Sequence, residues 1–306
     1  MRISTTQMQD RAVTAMLERQ SELSVTQQQV ASGKRILAPS DDVLGSTQVL
    51  ALNKVIDTHQ QYGENADAAT GRISQEESAL TQSIDVLQRA RELAIQSESV
   101  SLNPSARANI AIEIRELLKE VMSTANEKDS NGEFIFSGFN VATTPFTATE
   151  APAGSGLFTY AYTGDLGQRN VQIGETRFIA VGDPGQSVFM DIPETGGGTQ
   201  NIFETLEQFA LDLESGAPSA NIANDLSLAM EHLSGFRTQT GGRQNSIDSH
   251  RVLNEDIIYQ GQKTLSSIED LDFAEAISRL NLQLATLQAA QQSFAKIQNL
   301  SLFNYL

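Results

Sequence analysis

The run FAEAISRLNLQLATLQAAQQSFAKIQNL, from Phe273 to Leu300, sets its large apolar residues on a heptad seam: Phe273, Ile277, Leu280, Leu284 and Leu287, continued by Gln291 and Phe294. A 3.5-residue period means that one stripe must lie against a partner helix. Beyond Phe294 the phase slips to Ile297 and Leu300. No Gly or Pro follows Gly261, so from Ser267 the spacing predicts an uninterrupted helix of roughly 35 residues, about 50 Å long. The other end of the chain carries a weaker seam, Val13, Met16, Gln20, Leu23, Gln27 and Val30. Two amphipathic ends far apart in sequence predict a chain that leaves and returns to the same place. Residues 1–38 and 268–306 are expected to pair as terminal coiled-coil segments. Two readings of the seam amides Gln20, Gln27 and Gln291 stand open: buried groups that fix register, or groups facing solvent.

The chain of 306 residues has no cysteine, which excludes disulfide scaffolds and thiol chemistry. Its net charge of −17 argues against nucleic-acid binding, which needs clustered Lys and Arg. The acid is concentrated in the middle: residues 1–35 carry +2 and residues 268–306 carry −2. Near-neutral apolar ends are built to meet protein, and an acidic middle to stay in solvent. No apolar run is long enough to span a membrane. The opening MRISTTQ lacks the apolar core of a secretory signal. Taken alone, these facts predict a cytoplasmic protein; export without a cleaved signal would leave the same silence.

A first helix is predicted over 7–32, closed by Gly33 in the left-handed conformation. Pro39 then breaks the chain, and Ser40 is the expected cap of the next helix, with Asp41 and Asp42 in its first turn. The second helical region runs over 43–99, with Gly63 and Gly71 as weak points. Asn103-Pro104 is a cap followed by Pro at the first helical position, starting a third helix to about Asn126. From Gly132 the texture changes. Residues 133–139 alternate toward a strand, and residues 141–200 hold ten of the 21 glycines and four of the seven prolines. Strands are predicted over 157–163, 170–173, 177–181 and 188–192, with Gly196-Gly197-Gly198 as a hinge out of the insertion. Helical texture returns at about Asn201. The expected fold class is therefore mainly α with a β insertion: a helical bundle domain over 39–140 and 201–267, and a small all-β outer domain over 141–200.

No enzyme, cofactor or metal site is legible. His59, His232 and His250 are too scattered for zinc. The sequence from Glu127 to Gly132 mimics the start of a calcium loop, but Gly138 stands where the bidentate Glu belongs, so it reads as a turn. Asp165, Glu175, Asp183 and Asp191 are ordinary acids of a loop-rich region.

The segment ASGKRI over 31–36, followed by APSDD over 38–42, closely resembles the N-terminal signature of the flagellin family. DFAEA over 272–276 and the ending LSLFNYL over 300–306 resemble its C-terminal end. The opening MRIST, the turn GEFIFSG over 132–138 and Pro145-Phe146 are most like the subgroup at the hook–filament junction; GGRQNSID over 241–248 resembles the returning-helix motif. The likeness does not extend in detail to 141–200. It implies a non-enzymatic structural subunit of the bacterial flagellum, outside the cell and exported unfolded without a cleaved signal peptide. Such a subunit would stack on hook-associated protein 1, associate with copies of itself in a ring and present a surface for flagellin. The terminal segments would line the inner tube, the bundle the next shell, and the insertion the outside.

Two helices alone cannot bury both seams, so the ends are expected to be disordered in the free subunit and to fold on assembly. Before assembly Leu280, Leu284 and Leu287 would form a docking stripe for a flagellar export chaperone. Filament flagellin is the nearest alternative. A cytoplasmic coiled-coil scaffold with a β binding insert is the alternative of a different class.

Overall fold

The computed structural model describes residues 5–98, 103–152, 156–216 and 219–299. The fold is mainly helical with small antiparallel sheets in the middle of the chain, as the periodicity predicts. In order the elements are α1 (Thr5–Ser32), α2 (Val43–Ser97), α3 (Pro104–Ala125), β1 (Phe146–Glu150), β2 (Phe158–Tyr162), β3 (Asn170–Gln172) and β4 (Phe178–Ala180). They continue with α4 (Gly185–Phe189), β5 (Ile192–Pro193), β6 (Thr199–Gln200), α5 (Ile202–Ser215), α6 (Ile222–Glu269) and α7 (Phe273–Asn299). Two compact units form, one from residues 1–59 and 256–306, the other from residues 60–255.

In the first unit, Gly33 ends α1 at φ +72°, the left-handed C-terminal residue expected. The cap of α2 is Asp42 rather than Ser40: its Oδ1 accepts the Gly45 N–H at 2.8 Å. Asp41 turns the other way, its Oδ2 accepting the N–H groups of Leu37 and Ala38. The carboxylates thus tie the break on both sides; α2 starts at Val43, so Ser40 lies two residues ahead of the capping position. Gly63 and Gly71 do not interrupt α2, which runs for 55 residues. The C-terminal helix, by contrast, is not continuous. α6 stops at Glu269 and α7 starts at Phe273, because the backbone between them turns to bond the end of α1 instead.

The second unit is built on α3 and α5, packed against the central part of the chain. Asn103 caps α3 through its side chain, with Pro104 at the first position, as the sequence predicts. Ile110, Ile114, Leu118 and Val121 bury one face of α3 against Leu206, Phe209 and Leu213 of α5. Around them Phe136, Phe146, Phe189, Phe203 and Tyr160 form an aromatic cluster with ring centroids 5.1–6.1 Å apart. A smaller core joins Ala66, Ala69 and Ile73 of α2 to Ile173, Ile179, Val181 and Ile247.

The β region consists of three antiparallel hairpins, β1–β2, β3–β4 and β5–β6. Strands are found within 157–163, 170–173 and 177–181, and three expectations are corrected. Residues 133–139 form turns rather than a strand. Phe134, Ile135, Phe136 and Ser137 are all buried, and a strand with one wet face cannot bury consecutive residues. Residues 188–192 are not a strand either: α4 ends at Phe189, since Val188 and Phe189 must both enter the core, and only Ile192-Pro193 is extended. Gly196-Gly197-Gly198 is the turn of the β5–β6 hairpin, all three at positive φ, and not a hinge out of the insertion. β1 is an addition, paired in register from Phe146↔Tyr162 to Glu150↔Phe158.

Candidate assembly interface

The Leu271 N–H donates to the Gly33 C=O at 2.9 Å, and the Arg35 N–H to the Glu269 C=O at 2.6 Å. The Arg35 guanidinium adds two bonds to the Ile268 carbonyl, at 3.2 and 2.9 Å, and one to Asp42 at 3.1 Å. Lys34 Nζ lies 2.7 Å from Glu269. Asp272 then opens α7, its Oδ1 accepting from the N–H groups of Ala274 and Glu275. The Asp42 carboxyl is held below the usual carboxylate range by the Gly45 N–H and then by Arg35. An open groove of about 270 Å³, lined by Ile36, Pro39, Val49, Leu50 and Glu269, lies at this joint.

α7 begins where α1 ends, so the two helices run side by side in opposite directions. On α1 the face against α7 is made by Leu23 and Thr26, both buried, with Ala12, Met16 and Val30 half-buried. On α7 it is Ala276, buried, and Leu280, Gln283, Leu287, Ala290 and Phe294, half-buried. These alternate by four and three residues, a heptad seam.

Of the fifteen residues marked in the sequence, Met16, Leu23, Val30, Leu280, Leu284, Leu287 and Phe294 are wholly or partly covered. Val13, Phe273 and Ile277 stay 38%, 50% and 47% exposed. Gln20, Gln27 and Gln291 face solvent in the single chain. Ile297 sits in the last turn of α7; its side chain, and Leu300, lie outside the described residues. At about 100° per residue, Phe273, Ile277, Leu284 and Gln291 form a second stripe roughly 60–100° round α7 from the seam. Leu17, Val25 and Leu282 are also exposed, at 61%, 41% and 66%. The apolar surface of the pair is therefore wider than one helix can cover. Helical periodicity alone does not show the break at 270–272, although Asp272 and Glu275 carry the spacing of a capping box.

Among the described residues no cluster of His, Asp and Glu could hold a metal ion. Asp129, the candidate calcium ligand, spends its carboxylate on the N–H groups of Asn131 and Glu133 and on Arg72. Among the described residues no helix is long and apolar enough to cross a membrane.

The family model for the bacterial flagellin N-terminal helical region matches residues 3–141, and that for the C-terminal helical region matches residues 225–306. The chain belongs to the flagellin family. Members of this family are structural proteins of the flagellum, and so is this chain. Over 99% of both chains it is 27% identical to flagellar hook-associated protein 3 of Escherichia coli (strain K12). The crystal structure of flagellar hook-associated protein 3 from Legionella pneumophila superimposes with a TM-score of 0.66 at 19% identity, covering 72% of this chain and 98% of that one. A crystal structure of the flagellar junction protein of the same organism gives 0.62 at 18% identity, over 73% of this chain and 100% of that one. The match to the solved structures establishes the fold.

Proposed function

We propose that this chain is the flagellin-family subunit that joins hook to filament. It would stack on hook-associated protein 1, associate with further copies of itself and present the surface on which flagellin grows. The observation that carries this reading is the end-to-end similarity to hook-associated protein 3, in which neither chain has a large part without a counterpart. In this reading residues 1–38 and 268–306 line the inner tube, residues 39–140 and 201–267 form the next shell, and residues 141–200 face the outside of the tube, all of it outside the cell. The α1–α7 seam supports such a place: one stripe is used within the chain, and the second is left for neighbours.

The test is seeded assembly. Purified protein is added to isolated hooks already ended with hook-associated protein 1, flagellin follows, and each step is viewed by electron microscopy. A thin collar that stops growing and then permits flagellin extension is expected. Long filaments from this protein alone would make it a filament flagellin, and no binding would return the reading to a scaffold.

The same surface gives the chain a partner before export. Leu280, Leu284 and Leu287 are covered by α1 only in part, and a chain kept unfolded for export would show them fully to a chaperone. Replacing all three with Ser should abolish binding to the flagellar export chaperone; unchanged affinity would place that site elsewhere.

A further inference from the structure

In the second unit, two buried carboxylates share one guanidinium. Glu76 on α2 is fully buried, and Asp183, in the turn between β4 and α4, is 3% exposed. Asp183 takes Arg243 of α6 through both oxygens, at 2.8 and 2.9 Å, and accepts a further bond from Gln168 Nε2 at 2.6 Å. Glu76 is less well served. Its Oε1 accepts the Asp183 N–H at 2.9 Å. Its Oε2 accepts no hydrogen bond, the Arg243 Nη1 standing 3.9 Å away. The neighbouring cations are committed: Arg72 to Asp129 and Glu133, Arg169 to Glu133, and Arg237 faces Glu77. One guanidinium thus faces two carboxyl groups sealed from water, an arrangement that one added proton makes neutral.

We propose that Glu76 is a proton-binding site that locks the turn after β4 onto helices α2 and α6, closed while the proton is bound and loosened when alkaline solution removes it. Glu76 supplies α2's part of the lock, Arg243 supplies α6's, and Asp183 is the group both of them hold. Burial, and next the Asp183 charge beside it, push the Glu76 carboxyl from 4.5 up to about 8. The sign follows from linkage. The unfolded chain gives up this proton near 4.5 and the folded chain near 8, so between these values the folded state holds one proton more. Stability falls as pH rises through that window, by up to about tenfold in the folded-to-unfolded ratio per pH unit, and this group adds no further slope above it. The direction is opposite to that of an ordinary carboxylate in an ion pair.

The experiment is a carboxyl-carbon NMR titration of the full chain labelled at glutamate, read beside denaturant midpoints from about pH 5 to 9, the window that linkage sets. One glutamate signal should titrate near 8 and be missing from Glu76→Gln. The midpoint should fall with pH more steeply in the parent chain than in Glu76→Gln, which keeps the shape but cannot ionise. Asp183→Asn is the second variant: it removes the competing charge and frees Arg243, so the same signal should move down toward the ordinary carboxylate range. A spectrum in which every glutamate titrates in that range would overturn the proposal. So would parallel stability curves, or a Glu76 signal that does not move in Asp183→Asn.

Discussion

At Gly185 a methyl group has nowhere to go. A Cβ there would stand 2.7 Å from the Phe146 ring and 2.8 Å from the Phe136 carbonyl oxygen, and a backbone oxygen cannot swing aside. Gly185→Ala should therefore destabilise the second unit by about 1–3 kcal/mol, in the range of an overpacked core. Gly71 is the reverse case: it lies inside α2, and a methyl group added there would meet nothing within 4 Å. A helical Gly in such a place costs about 0.5–1 kcal/mol relative to Ala. Gly71→Ala should raise the denaturant midpoint and Gly185→Ala should lower it. Sequence shows both glycines alike, since the difference lies in the aromatic cluster that residues 136 and 146 bring to one of them.

Among the elements, α1, α2 and α3 are legible because each carries an apolar period together with its own punctuation: Gly33, Pro39 and Asn103-Pro104. The β hairpins are legible where aromatic and β-branched residues alternate, as in β2. β1 has only Phe146 and small or polar residues after it, and its identity comes from pairing with β2. The seam of α7 is legible with its phase turned: large residues mark the widest part of the apolar face, whereas the contact with α1 runs over the small Ala276 and Ala290, which let the helices approach. That leaves Leu17 and Leu282 mostly exposed, so a charge there stays in water in the unassembled chain. Leu17→Glu with Leu282→Glu should leave circular dichroism of the unassembled protein unchanged and abolish its addition to hook seeds. Leu23→Ala, in the seam that α1 and α7 bury together, should likewise leave circular dichroism of the unassembled protein unchanged and weaken addition to the seeds.

On the scale of the whole molecule, the acidic charge is concentrated away from the two ends that share the first unit. Within the first unit α1 and α7 cover each other along one stripe, and most of their other described residues are exposed, so their hydrogen bonds should open far more readily than those of α3 and α5, which enclose the main core. Hydrogen exchange on unassembled protein should label residues 5–32 and 273–299 within the shortest exchange times, and on seeded assemblies these segments should become protected. Equal protection in both states would remove folding on assembly from the account.

The joint at Gly33 and Leu271 bears on which structure the C-terminal sequence encodes. From Gln262 onward no Gly or Pro forces a stop, and the interruption at 270–272 exists because its backbone groups bond residues 33–35. Its shape is therefore conditional, written half in the far end of the chain. Without the N-terminal segment, only the Asp272 cap would hold α6 and α7 apart, and the same residues would join more readily into one rod. A chain threaded through a narrow channel would then acquire its bend only when both of its ends have arrived.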